Sequence, residues 1–279
     1  MSDTGLVWIR EDFRIENNAA LSYATQNHQN VIAFFIYNNN DYDNKREDQK
    51  WWLSKSLESF KKDLFNYQIN LQIIKGDELN IFSKIKKNDN VSIYWNKIYE
   101  PDVIEKGKKI RDIFIKNEIN FKYFKGNILN EFQEVTKNDK TPFKVFTPFW
   151  RTAEKIYLSL PPSKNYIIKK KSKIKSFFKD GINPNEILPK KNWHKKFEKY
   201  WNVSENDSKK ILKNLIENKI KNYGTSRDIP SIEGTSKLSP YIKFGQIHVG
   251  TIWKKCNEIK SKGIGYRKYI IEFFSKITF

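Results

Sequence analysis

Up to about residue 125, short apolar runs alternate with longer amphipathic stretches. Residues 6–9 (LVWI), 31–37 (VIAFFIY), 71–74, 91–95 and 121–124 are apolar runs of strand length. Between them, residues 19–26, 50–65, 78–85 and 102–115 read as helices. In 50–65 the apolar positions are Trp52, Leu53, Leu57, Phe60 and Leu64, which is helical spacing. Pro101 gives the last of these helices its start. Strands that are apolar throughout, separated by helices, predict a parallel five-stranded sheet covered on both faces, a doubly wound α/β domain. Ligands of such domains sit beyond the carboxyl ends of the strands.

The pattern changes after Pro148. Residues 160–162 (LPP) and the basic run 169–175 (KKKSKIK) read as an exposed connector. From Trp193 the periodicity is helical. Asn206 and Asp207 are good N-caps for a helix running to about Tyr223, and 240–244 and 248–259 follow as further helices. The predicted layout is an α/β domain over 1–130, an interdomain linker over 131–192, and the beginning of an all-helical domain over 193–279.

Composition narrows the class. The 279 residues are 38% hydrophobic and 15% aromatic, which is the balance of a folded chain. No run reaches the roughly 18 apolar residues of a membrane span, and the first residues lack a signal-peptide pattern. Cys256 is the single cysteine, so an internal disulfide is impossible and a reducing cytoplasm is expected. The formal charge of +20 predicts a polyanionic partner. Lys, Asn and Ile are abundant together, so part of that charge also fits a bias towards A and T in the coding DNA.

Several chemistries are excluded. The first strand is followed by Arg10-Glu11-Asp12-Phe13-Arg14, which contains neither the glycine fingerprint of dinucleotide sites nor a phosphate loop. His28, His194 and His248 are scattered and offer no zinc spacing. No nucleophile elbow is present. Arg10 and Asp12 read as a surface ion pair or strand-end cap, and Glu11-Asp12 as solvated surface. Trp8 and Trp95, on strands, read as core.

Residues 233–247 (EGTSKLSPYIKFGQI) carry the most information. Ser239 before Pro240 is a helix start, and Gly234-Thr235-Ser236 supplies a tight approach rich in hydroxyls. Two readings stay open on spacing alone: an ordinary capped helix, or a diphosphate cradle at a helix N-terminus. The segment resembles the G-T-S-R-L-S-P-Y-L-x-F-G signature of the photolyase/cryptochrome family. Upstream, 223–230 (YGTSRDIP) is similar to that family's Y-x-x-x-R-D-x-P. Residues 6–21 (LVWIREDFRIENNAAL) resemble its opening V-W-F-R-R-D-L-R-L-x-D-N-P-A-L. Residues 95–101 (WNKIYEP) and 145–150 (VFTPFW) are similar to W-N-R-x-Y-E-P and V-F-T-P-F-W. The blocks follow the family's order and cover essentially the whole chain.

The resemblance implies a deoxyribodipyrimidine photolyase: light-driven, FAD-dependent repair of cyclobutane pyrimidine dimers, with damaged DNA as partner. It leaves open a cryptochrome-like flavin photoreceptor or a non-catalytic DNA-binding fragment. Residue by residue, the FAD contacts fall on Tyr223, Thr235, Ser236, Lys237, Leu238 and Ser239. Lys237 replaces the family's Arg, keeping the charge and losing the planar fork. Glu272, in 269–279 (YIIEFFSKITF), matches the first Glu of the family's E-L-x-W-R-E-F helix. In a second register Glu272-Phe273 match its closing E-F, and Arg267 takes the place of the first Glu. Ser275, Lys276 and Ile277 depart from the motif. The remaining flavin contacts and the electron-transfer tryptophans of the family lie beyond residue 279, so no catalytic residue is assigned. The resemblance therefore implies an incomplete FAD site and impaired activity, unless a separately encoded C-terminal half assembles with an otherwise monomeric chain. The family's antenna chromophore, a folate or a deazaflavin, is left unassigned, because Val103 beside Asp102 cannot hydrogen-bond a pterin edge.

Overall fold

The computed structural model describes residues 3–39, 47–159 and 166–260. The chain divides into two compact units. One holds Met1–Gly126, Tyr166–Asp207 and Lys243–Gln246; the other holds Asn127–Asn165, Ser208–Ile242 and Ile247–Phe279.

In the first unit, strands β1 (Thr4–Trp8), β2 (Asn30–Tyr37), β3 (Asn70–Lys75), β4 (Val91–Asn96) and β5 (Asn120–Phe124) form one parallel sheet. Its order is β3-β2-β1-β4-β5. Helices α1 (Ala19–Asn27), α2 (Glu47–Phe65), α3 (Glu78–Lys84) and α4 (Pro101–Lys116) flank it. Alternate strand residues serve two cores. Val7, Ala33, Phe35 and Leu71 pack with Leu21 of α1 and Leu57 and Phe60 of α2. Leu6, Trp8, Phe34 and Ile93 pack with Phe82 of α3 and Phe114 of α4. The inner strands β1, β2 and β4 are buried at nearly every position, which is why they are mainly apolar, whereas the edge strands β3 and β5 are partly exposed and carry Gln72, Lys75 and Lys122. Trp8 and Trp95 belong to the second core, edge to face at 6.2 Å.

The basic run differs from the solvated connector expected of it. Lys169, Lys170, Lys173 and Lys175 are exposed, but Lys171 Nζ donates to the carbonyls of Thr25 (2.5 Å) and His28 (2.6 Å). Residues 167–171 lie against α1, and residues 176–182 continue as a strap along the open side of β3. Gln72 accepts from the Phe177 and Phe178 N–H groups and donates to the Phe178 carbonyl at 2.7 Å. The Ile182 N–H donates to Ile73 O at 2.8 Å. The strap blunts an edge strand that would otherwise pair with a foreign chain.

The second unit contains α5 (Phe146–Ser159), most of α6 (Glu205–Asn214), α7 (Tyr223–Ser226), α8 (Ser239–Lys243) and α9 (Val249–Lys260). The predicted cap of α6 moves. Ser204 Oγ accepts from the Asp207 N–H at 3.0 Å, so Ser204 precedes the helix and Asp207 lies within it. Nor is the helix continuous to Tyr223. A π turn (Leu215–Lys219) and a 3-10 turn (Ile220–Asn222) intervene. Leu215 and Ile220, five residues apart, are both buried, and a widened turn is what puts that spacing on one face.

Cys256 is fully buried in α9, and burial pushes its thiol up to about 12. A thiol kept neutral by the fold contributes stability that is complete below the ordinary value of 9.0 and is lost as pH rises from there through about 12. At about pH 8, iodoacetamide is therefore expected to label Cys256 slowly in the native protein and rapidly in denaturant. Equal rates in the two conditions would contradict this burial.

Candidate functional site

The chain reverses its strand order at β1 and β4, where a ligand crevice is expected beyond Trp8 and Asn96. Polar side chains of the first unit occupy that place. Asp12, 5% exposed, accepts from the Arg10 N–H (2.8 Å) and from Asn96 Nδ2 (2.6 Å). Asn96 Nδ2 also donates to Asn18 Oδ1 (2.9 Å), and Asn96 Oδ1 accepts from the Ala20 N–H (3.2 Å). Arg10 donates to Asn96 O at 2.5 Å and covers the Trp8 ring at 4.4 Å. Arg14 donates to the carbonyls of Gly245 (2.8 Å) and Asn17 (3.2 Å). Asp12 is thus not solvated surface. A lone buried carboxylate costs several kcal/mol, and the Asn96 and backbone donors offset that cost. Of the two readings for Arg10 and Asp12, the geometry is the strand-end cap, made through the Arg10 backbone.

The end of the signature segment belongs to the same place. Phe244 O accepts from the Phe13 N–H (3.3 Å), and Gln246 Oε1 accepts from Trp52 Nε1 (3.0 Å). Lys243 pairs with Glu11 (2.8 Å) and Glu100 (2.7 Å). Burial alone would lower the Lys243 ammonium; the two carboxylates outweigh it and hold it above the ordinary lysine value.

The described residues predicted to bind FAD lie in the second unit. Tyr223 is buried at the start of α7, and Leu238 is fully buried before α8, so both hold the segment from inside. Between them, Gly234 packs on the turn after α7. A Cβ at Gly234 would stand 2.0 Å from Ser226 O. Thr235 and Ser239 are exposed, and Ser236 is partly so, its Oγ accepting from the Leu238 N–H at 3.3 Å. Lys237 adopts a left-handed backbone (φ 57°), which costs a residue with a side chain roughly 1–2 kcal/mol. Its Nζ pairs with Glu233 at 2.5 Å, and Lys219 Nζ reaches Glu233 (4.0 Å) and Thr235 O (3.4 Å). The hydrogen bond from Lys237 holds the Glu233 carboxyl below its usual value. Glu272 lies outside the described residues.

The helix start differs in detail from the expected one. Helix α8 begins at Ser239, and Leu238 O accepts from the Ile242 N–H at 3.0 Å, so the cap position is Leu238. With five residues, α8 supplies little dipole. What could suit a diphosphate is the side-chain set: two ammonium groups drawn together by Glu233, in a segment whose Thr235, Ser236 and Ser239 carry hydroxyls. An incoming anion would take the place of the Glu233 carboxylate. The Glu233–Lys237 pair carries no helical signal despite its i,i+4 spacing, because residues 233–237 are not helical. Lys219 carries no signal in the sequence either.

Comparison with known proteins bears on the family and on the fold. The family model described as DNA photolyase matches residues 5–166. A deoxyribodipyrimidine photo-lyase of Agrobacterium fabrum is 28% identical over 264 residues, covering 89% of this chain and 52% of that protein. Cryptochrome-1 of Arabidopsis thaliana is 25% identical over 256 residues, covering 89% of this chain and 37% of that protein. The chain thus spans about half or less of the length of these curated relatives. Among solved structures, a bacterial class III photolyase from Agrobacterium tumefaciens superposes with a TM-score of 0.85 at 23% identity. That match covers 99% of this chain and 57% of the other, and it concerns the fold alone.

Proposed function

Because the chain belongs to the DNA photolyase family, we infer that it supplies the α/β domain and part of the flavin-binding segment of a light-driven, FAD-dependent deoxyribodipyrimidine photolyase. The observation that carries this reading is the meeting of Lys219 and Lys237 on Glu233, with Lys219 also donating to the Thr235 carbonyl, in the segment that holds Thr235, Ser236 and Ser239. When bound, FAD supplies a photoexcited electron that opens the cyclobutane ring of a pyrimidine dimer. The work of this chain is to hold the cofactor. Lys219 and Lys237 would neutralise its diphosphate, the hydroxyls of Thr235, Ser236 and Ser239 could donate to it, and buried Leu238 and Tyr223 would keep the segment in register. The formal charge of +20 supports damaged DNA as the substrate. A second reading, a flavin photoreceptor, is favoured by the similarity to Cryptochrome-1. Residues 193–279 are read as the start of the helical FAD-binding domain.

The test is an FAD titration of the 279-residue chain, followed by flavin fluorescence. Lys237→Glu is expected to weaken binding about tenfold or more, the equivalent of about 1.4 kcal/mol. Lys237→Arg is expected to bind at least as tightly as the parent, since its fork adds a second hydrogen bond. Equal affinities for all three proteins would remove the diphosphate assignment. Illumination of dimer-containing oligonucleotide then tests the photolyase reading: repair over a dark control supports it against the photoreceptor, while flavin binding without repair fits both the photoreceptor and a photolyase with impaired activity.

A further inference from the structure

We propose that the segment 189–201 of the first unit is a docking platform for single-stranded nucleic acid, separate from the flavin-binding segment. Its sequence, PKKNWHKKFEKYW, interleaves five lysines with aromatic rings. Structure sorts them. In the 3-10 helix Asn192–Lys199, His194 and Phe197 share one side by i,i+3 spacing and face inward. His194 Nδ1 lies 2.8 Å from Lys191 O, and the Phe197 ring meets Trp51 of α2 edge to face at 5.3 Å. Ser54 Oγ of α2 donates to Pro184 O at 2.8 Å just upstream. The segment is therefore seated on a rigid helix.

What faces outward is chemically uniform. Lys190, Lys191, Lys195, Lys196 and Lys199 are all exposed, and among the described residues none of them pairs with a carboxylate. The single acid of the segment, Glu198, is held by Lys55 at 2.9 Å. Among these cations stand Trp193, 40% exposed, and Tyr200, 78% exposed. Beyond Tyr200, Trp201, Asn202 and Val203 form one wall of an open groove of about 360 Å³ against α2. Its other acids are also engaged, Glu58 by Lys62 (2.8 Å) and Asp207 by Ser204 (2.5 Å).

Unpaired lysines along a track release counterions from a phosphate backbone, and exposed rings offer stacking faces to unpaired bases. A lipid surface is the poorer fit. Membrane-lying helices present a continuous apolar face, whereas here His194 and Phe197 are turned into the protein and only two rings project. A duplex, with its bases stacked inside, would leave Trp193 and Tyr200 idle.

The platform needs neither flavin nor a lesion, so its test is independent of the reading above. Anisotropy of labelled, undamaged oligothymidylate is measured in the dark with the full chain over a range of salt. Replacing the five lysines together by Gln is expected to reduce the slope of log K against log salt by about 3, at ~0.7 per phosphate contact on a single strand. Tyr200→Ala is expected to weaken binding about tenfold, and Tyr200→Phe to stay within about twofold, because the ring and not the hydroxyl stacks. Tyr200 is so exposed that its replacement leaves the fold intact, which circular dichroism verifies. Lys108→Gln, at an exposed lysine of α4, is the control and should bind the strand as the parent does. An unchanged slope in the Gln variant overturns the proposal, and so does equal loss in the Ala and Phe variants. Binding to phosphatidylserine vesicles without binding to the oligonucleotide would also overturn it.

Discussion

Gly245→Ala is expected to lower the stability of the first unit by about 3–5 kcal/mol, enough to leave much of the protein unfolded at physiological temperature. Two costs add. Gly245 sits at φ 66°, a conformation that side chains resist. A Cβ built there would lie 1.8 Å from Glu11 O and 2.7 Å from the Asp12 Cα, and both are backbone atoms that cannot rotate away. Relief requires residues 10–14 or 243–246 to withdraw. Withdrawal breaks the bond from Arg14 to Gly245 O and strands a buried guanidinium. Urea unfolding followed by tryptophan fluorescence measures the effect, since Trp8, Trp51, Trp52 and Trp95 are all buried in this unit. A midpoint within error of the parent would show that the approach of these two segments is not as close as described.

Gly234→Ala is expected to have the largest effect on FAD binding of any single methyl added to the chain. The new Cβ would meet Ser226 O at 2.0 Å, the Ser226 carbonyl carbon at 2.3 Å and Arg227 N at 2.8 Å. Every atom it meets is main chain, so the turn after α7 and the segment 233–239 must part. Overpacking of this kind costs about 1–3 kcal/mol even where neighbours can adjust. Parting them moves Thr235 away from Lys219 and disperses the ammonium pair around Glu233. An affinity loss of about 100-fold, ~2.7 kcal/mol, is expected, with the first unit unaffected. Titration with FAD beside an unchanged α/β circular dichroism signature checks both halves. Parental affinity in this variant would mean that the 226–234 contact does not organise the site.

The sheet could be read from the sequence because its signal is local. The inner strands are buried on both faces, so apolar runs such as 31–37 stand out without knowledge of their neighbours. Where reading failed, the deciding partner lay far along the chain. Asp12 looks solvated beside Arg10 and Glu11, and the Asn96 amide that, with the Arg10 N–H, makes its burial tolerable comes from 84 residues away. The run 169–175 looks like any charged linker, and nothing near Lys171 announces the carbonyls of Thr25 and His28. In the candidate site, the hydroxyls at 235, 236 and 239 were legible through the motif. The left-handed turn at Lys237 and the arrival of Lys219 were not, since both depend on how two segments meet.

The strap also sets a timetable for synthesis. Gln72 of β3 finds its partner at Phe178, 106 residues later, so the edge is formed long before its cover exists. At 5–20 residues per second a ribosome needs about 5–20 s to make that interval. During this window the nascent sheet presents an open β3 edge of bare amides and carbonyls to whatever is nearby. Closing so long a loop is also slow on contact-order grounds. The step at which the young chain most needs a chaperone is therefore the wait for residues 176–182, after the sheet itself has been assembled.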